Sequence, residues 1–175
     1  MLQRIIKFIK KWRKTDIEYY RSLGVQIGDG CRIYTDRFGS EPWLISIGSN
    51  VTITSGVNII THDGSTWLTR DTKGRRYLYR KVNIGNNVFI GINSIILPGV
   101  HIEDDVIIAA GSVIAKSVPK GSIVGGNPAR IIGDFYEYRK KALSDFVSKE
   151  DMDFSKDYKE RISAIVDKTQ KPKMK

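Results

Sequence analysis

The chain has little with which to cross-link, chelate or span a bilayer. Of its 175 residues, one is cysteine, two are histidine and five are proline. A lone thiol, Cys31, builds no disulfide framework, and no zinc-ligand spacing surrounds it, so a reducing compartment is expected. No uncharged apolar run reaches the ~18 residues that a membrane-spanning helix needs. Acid is also in short supply: 29 lysines and arginines face 19 aspartates and glutamates, a formal charge of +10. That surplus favours polyanionic partners, whether nucleic acid, an anionic membrane surface or a phosphate-rich small molecule. An apolar share of 41% argues against disorder and against a fibre.

The opening residues, MLQRIIKFIKKWRK, lack a continuous apolar core and a small-residue cleavage site, and are not read as a signal peptide. Ile5, Ile6, Ile9 and Trp12 fall at helical spacing between Arg4, Lys7, Lys10, Lys11, Arg13 and Lys14. Residues 1–23 are therefore expected to hold a basic amphipathic helix. It suits an anionic membrane surface as well as it suits the end of the domain or a partner subunit.

What the sequence has in abundance is a period. Ile84, Ile90, Ile96, Ile102, Ile108 and Ile114 fall six apart without a slip. Four positions after each stands a small or β-branched residue: Val88, Ser94, Val100, Val106, Ser112 and Val118. The same phase appears upstream at Ile27 and Ile33, then at Ile47, Ile53 and Ile59. Six matches neither an amphipathic helix nor a strand alternating by two. It matches a coil of three short strands, one hexapeptide to each side of a triangular prism. Asn86-Asn87, Gly99 and Gly111 supply the corners. No repeat covers its own apolar face, so stability has to come from stacking. The fold class expected is an all-β solenoid over residues 24–133, of roughly four to five coils. A charged, largely helical tail over 134–175 follows, with Phe135, Tyr138, Leu143 and Phe146 as packing candidates and a frayed end at TQKPKMK.

The phase breaks twice. Ile33 to Ile47 carries two residues more than a pair of hexads, near FGSEPW. Ile59 to Ile84 carries a longer excursion, the loop 64–81, which a solenoid must extrude on one face. His62 stands where that loop departs. Arg70, Lys73, Arg75, Arg76, Arg80 and Lys81 against Asp71 give residues 70–81 a net charge of +5. Most such cations are solvated, and Trp67, Tyr77 and Tyr79 are expected to pack the loop down in preference to stacking on a ligand.

The run VNIGNNVFIGINSIILPGVHIEDDVIIAAGSVIAKSVPKGSIVGGNPARIIG, residues 82–133, resembles the hexapeptide-repeat acyltransferases. The nearest likeness is to the galactoside and maltose O-acetyltransferases and the acetyltransferases of surface-polysaccharide clusters. The segments IGNNVFIG, PGVHI, AAGSV and GNPAR carry the likeness in order, and with the upstream hexads it covers about residues 24–133. The resemblance implies a left-handed parallel β-helix, a hand that periodicity alone does not give. It also implies acetyl-CoA as acyl donor, homotrimers with active sites between subunits, and a histidine base before the loop. By position that base is His62. The positions matching CoA contacts are Ile92 and Ala110, through backbone, then Ala115, Lys116 and Arg130. Ala115 stands where relatives have a hydroxyl side chain, and Gly133 where some have a second arginine.

Acyl transfer from a thioester to a hydroxyl needs a base, a stabilised oxyanion and aligned reactants. One histidine can take the hydroxyl proton and return it to the thiolate. Asp63 is a weak candidate for orienting the ring, because adjacent side chains in extended backbone point opposite ways. His101 is expected on a solvated face. Two histidines are too few for the three-histidine metal site of a carbonic anhydrase, so no metal is expected. Nor does a nucleic-acid-binding motif accompany the charge, and no nucleic acid is expected as partner. The function expected is O-acetylation of a sugar or glycan hydroxyl in surface-polysaccharide biosynthesis, in the cytoplasm or at the inner face of its membrane. N-acetylation of an amino sugar and a non-catalytic scaffold are the alternatives.

Overall fold

A computed structural model describes residues 16–171 and 173. The basic segment 1–14 lies outside them, as do Pro172, Met174 and Lys175 of the terminal stretch. The described residues up to 135 and those from 136 onward form separate units and are taken in turn.

The first unit answers the period of six directly. Strands β1 (Gln26–Ile27), β3 (Ile45–Ile47), β8 (Val82–Ile84) and β11 (His101–Ile102) pair in parallel as one sheet. A second holds β2 (Arg32–Ile33), β4 (Thr52–Ile53), β9 (Val88–Ile90), β12 (Val106–Ile108) and β14 (Ser122–Gly126), also parallel. A third holds β5 (Asn58–Ile59), β10 (Ile95–Ile96) and β13 (Val113–Ile114). From β3 onward the chain visits the first, second and third sheets in rotation. Single bridges, Arg37 to Asn58 and Val118 to Ile102, continue the rotation at either end.

The register turns the sequence period into columns. Ile27, Ile47, Ile84 and Ile102 lie side by side on the first sheet. Ile33, Ile53, Ile90 and Ile108 do so on the second, and Ile59, Ile96 and Ile114 on the third. All are buried. A buried isoleucine contributes about 1.5–3 kcal/mol relative to an exposed one, so the columns are the main source of cohesion. Where serine replaces valine at the fourth hexad position, its hydroxyl is used. The buried Ser94 donates to the Gly91 carbonyl at 2.7 Å and the buried Ser112 to the Ala109 carbonyl at 2.6 Å.

Corners need positive φ, and Asn50, Asn87, Asn93 and Asp105 adopt it alongside glycines. Asparagine and aspartate tolerate that region better than other L-residues. They also ladder: Asn50 Nδ2 donates to Asn87, and Asn87 Nδ2 to Asp105. At one end, helix α1 (Asp16–Ser22) brings Tyr20 onto Phe38, with ring centres 4.5 Å apart and both side chains buried. At the other, β15 (Ala129–Asp134) returns antiparallel along β14.

Both phase breaks are excursions. The first ends in a 3-10 turn, Pro42–Leu44. The second begins with a 3-10 turn, Gly64–Leu68, and continues as a hairpin of β6 (Arg70–Asp71) and β7 (Gly74–Arg75). Its stem is zipped: His62 bridges Tyr79, and the Asp63 and Arg80 amides donate to Leu78 and Thr61 at 3.0 and 2.7 Å.

The charged tail, expected to be largely helical over 134–175, holds two short helices. Helix α2 (Phe135–Asp145) stops, and α3 (Tyr158–Ile165) starts afresh behind the Asp157 cap, whose carboxylate accepts from the Glu160 amide at 2.9 Å. Between them Asp151 accepts from the Ser148 amide and Asp153 from the Ser155 amide. Short polar side chains that bond nearby backbone compete with helical pairing. Of the packing candidates, Tyr138 meets Phe146 edge-on at 6.1 Å, yet both remain exposed, as does Leu143.

Candidate active site

Column geometry delivers His62 to its place. Ile59 is the buried column residue of β5, the Ile60 amide donates to the Ile96 carbonyl, and Thr61 is wholly buried. His62 is the next residue, half-buried at the root of the stem. Its Nδ1 lies 2.9 Å from Glu41 Oε2, an oxygen that also accepts the Thr61 hydroxyl at 2.6 Å. An ionised carboxylate only accepts, so the hydrogen-bond network puts the proton on Nδ1 and leaves Nε2 with a lone pair. Exposure divides the pair: the Glu41 side chain is 15% exposed and that of His62 38%. The carboxylate is sheltered behind a ring that solvent reaches.

Burial pushes the Glu41 carboxyl upward. Hydrogen bonds from Thr61 and His62, together with the charge of His62, outweigh it and hold the group below its ordinary value. Glu41 therefore stays ionised at neutral pH. An imidazole with one bare nitrogen and an anion behind it is suited to take a proton and to tolerate the charge it acquires.

Asp63 does not orient the ring. Its carboxylate accepts from the Ser65 hydroxyl and amide at 2.7 and 2.9 Å, which caps the 3-10 turn and holds its own carboxyl low. The orienting group is Glu41, twenty-one residues upstream, and reading the sequence did not find it. The signal present was the phase break at FGSEPW, which contains this residue. Tyr79 completes the surround, its ring centre 5.9 Å from that of His62. The expectation that Trp67, Tyr77 and Tyr79 pack the loop down is also corrected, since all three are more than half exposed.

The five remaining site positions fall into two surface depressions. Ile92 and Ala110 occupy equivalent corners after β9 and β12, where they line a hollow of about 570 Å³ with Tyr34, Thr54 and Phe89. Ala115, Lys116 and Arg130 line a smaller one of about 280 Å³. His62 lines neither. The register explains part of this arrangement: Ala115 and Lys116 follow β13 at the corner from which His62 departs after β5, with β10 between. Ile92 and Ala110 sit at the other end of the third-sheet strands. His101 is exposed on β11, and no cluster able to hold a metal ion occurs among the described residues.

Parallel sheets visited in rotation, with a carboxylate-backed histidine at one corner, describe a class of repeat-built enzyme. The family described as bacterial transferase hexapeptide (six repeats) matches at residues 81–116. Protein CapG of Staphylococcus aureus is 45% identical over 146 residues, which covers 82% of this chain and 84% of that protein. Galactoside O-acetyltransferase of Escherichia coli (strain K12) is 32% identical over 100 residues, 57% of this chain and 49% of the enzyme. A hexapeptide-repeat-containing acetyltransferase from Vibrio cholerae has a solved structure that superposes with a TM-score of 0.62 at 25% identity, covering 74% and 86%. The chain belongs to the hexapeptide-repeat acyltransferase family, and it is an acyltransferase.

Proposed function

We propose that the chain is an acetyl-CoA-dependent O-acetyltransferase of a sugar hydroxyl in surface-polysaccharide or glycan biosynthesis, with His62 as its general base. The observation that carries this reading is the 2.9 Å contact between His62 Nδ1 and Glu41, which leaves Nε2 bare at the root of an extruded loop. The name of the E. coli relative supports a sugar hydroxyl as acceptor. Likeness to the Vibrio structure supports a left-handed β-helix as the form of the three-sheet rotation.

The residues present fit acetyl-CoA. The larger hollow has an almost wholly apolar lining suited to a pantetheine arm, and Lys116 and Arg130 have no carboxylate partner among the described residues. Those two would face its phosphates, while Ile92, Ala110 and Ala115 would line its path. Bound there, acetyl-CoA supplies an acyl group already activated as a thioester. His62 Nε2 takes the proton of the acceptor hydroxyl as that oxygen attacks the carbonyl carbon. Glu41 holds the ring and stabilises its positive charge. The C–S bond then breaks, and the imidazolium returns the proton to the departing sulfur. One chain keeps its hollows apart from His62, which favours a homotrimer in which the base of one subunit faces the corners of the next. The basic segment 1–14 would hold the enzyme at the inner face of the membrane.

Thiol release from acetyl-CoA, followed with a panel of sugars for the wild type and His62→Ala, tests the reading. Loss of about 10²–10⁴-fold in turnover with assembly and donor binding retained is expected. Near-normal turnover in the variant removes His62 as base. A clean monomer in sedimentation at micromolar concentration removes the shared site.

A further inference from the structure

The loop carries a stack of rings and guanidinium groups that ends on the candidate base. Arg70 Cζ lies 4.2 Å from the Trp67 ring centre, and Arg75 Cζ 4.8 Å from it. Arg75 also covers Tyr77 at 4.5 Å. Tyr77 and Tyr79 lie within 9° of parallel, 6.4 Å apart, and Tyr79 reaches the His62 ring at 5.9 Å.

Two features separate this stack from a loop merely pinned to its domain. First, Trp67, Tyr77 and Tyr79 expose 56%, 62% and 53% of their surface, although apolar area left in water forgoes about 25 cal/mol per Å². Second, its charge is uncompensated. Asp71 is taken by Arg76 and by the Lys73 amide, whereas Arg70, Lys73, Arg75, Arg80 and Lys81 have no carboxylate partner among the described residues. Arg75 Nε is shut away from solvent without a hydrogen-bond partner. A guanidinium already held between rings has lost much of its freedom, so an anion that it grips in fork geometry meets a prepaid site.

We propose that this ladder binds an anionic saccharide: a sugar ring stacks on the exposed tyrosine and tryptophan faces, and its carboxylate or phosphate is gripped by Arg70 and Arg75. The acceptor of acyl transfer is then a negatively charged sugar. This rests on the reading of His62 as base, because the ladder terminates at that imidazole and a saccharide across Tyr77 and Tyr79 lies beside it. Donor phosphates are the weaker match, since the matched donor positions line hollows to which no ladder residue contributes.

The test is calorimetric titration of the full chain, without acyl donor, using tri-galacturonate, its neutral methyl ester and galactose 1-phosphate. At least one anion should bind about ten-fold or more tightly than the ester, and Arg75→Gln should remove about ten-fold of that affinity. The ester should lose far less. Whichever anion binds identifies carboxylate or phosphate as the group read. Equal affinity for acid and ester overturns the proposal. So does an equal loss of both in Arg75→Gln, which would make the arginine a loop stiffener. So too does a raised KM for acetyl-CoA in that variant with acid binding intact, which would give the cations to the donor. Selective anion binding in a protein that acylates no sugar would sink the catalytic reading and leave the binding site standing.

Discussion

Glu41→Gln keeps the shape of the side chain and an acceptor for Thr61, but removes the charge behind the imidazole. When Nε2 takes a proton, the ring becomes a cation in hydrogen-bond contact with that carboxylate, Nδ1 to Oε2 being 2.9 Å. Opposite unit charges about 4 Å apart gain ~1 kcal/mol in water and about 4 kcal/mol at an effective dielectric of ~20. With side-chain exposures of 15% and 38%, the pair sits between those limits. Glu41→Gln should therefore cost about 2–3 kcal/mol in the transition state, or about 30- to 150-fold in kcat. Thr61→Val removes one hydrogen bond to the same oxygen and no charge, so its loss should stay below about ten-fold. Steady-state thiol release at saturating acetyl-CoA and acceptor reads both variants. Wild-type kcat in Glu41→Gln, or a loss confined to KM, rules out Glu41 as the group that stabilises the imidazolium. The pH dependence of stability gives a second check. A carboxyl held below its ordinary 4.5 stabilises the fold above that value, and the contribution is lost as the pH falls through the lower, folded value. The thermal advantage of wild type over Glu41→Gln should be full at neutral pH and close below about pH 4.5.

Other parts of the structure yield their own expectations. Lys116→Ala and Arg130→Ala should each raise the KM for acetyl-CoA by about ten-fold with kcat largely kept, the reverse of the His62 pattern. Ile102 is fully buried in its column, so Ile102→Ala should lower unfolding free energy by about 2–5 kcal/mol in urea titrations. A loss under about 1 kcal/mol would mean the column collapses around the gap. A Cβ on Gly91 would fall 2.5 Å from the Ala110 amide nitrogen, whereas one on Gly64 would meet nothing within 4 Å. Gly91→Ala should thus cost about 1–3 kcal/mol and Gly64→Ala at most about 0.5, by the same titration.

The columns were legible because each hexad position performs one repeated task. An isoleucine every six residues has one meaning when three strands share it, and the registers of Ile84 with Ile102 and of Ile90 with Ile108 are that meaning in space. The tail was less legible. Its residues carry charge and helical propensity nearly throughout, and in the gap between α2 and α3 aspartate side chains accept from nearby serine amides. Propensity summed over a window does not resolve such local competition.

The candidate site was legible only in half, and the reason is geometric. His62 could be picked out because it stands at the break of a period, which is a one-dimensional signal. Glu41 could not, because it stands twenty-one residues upstream, about a full circuit of the three sheets away, a separation that no short motif spans. Arg37 bridges Asn58, so the first excursion runs alongside the strand that delivers His62, and the second leaves from that strand's end. Residues outside the repeat are free of the stacking duty that fixes Ile33, Ile53 and Ile59. They can therefore carry a carboxylate, an imidazole and a stem of tyrosine without costing the columns anything. The chemistry proposed for this chain lies where its period fails. Two failures that abut in space, as these do at Glu41 and His62, mark the candidate site more sharply than either motif does alone.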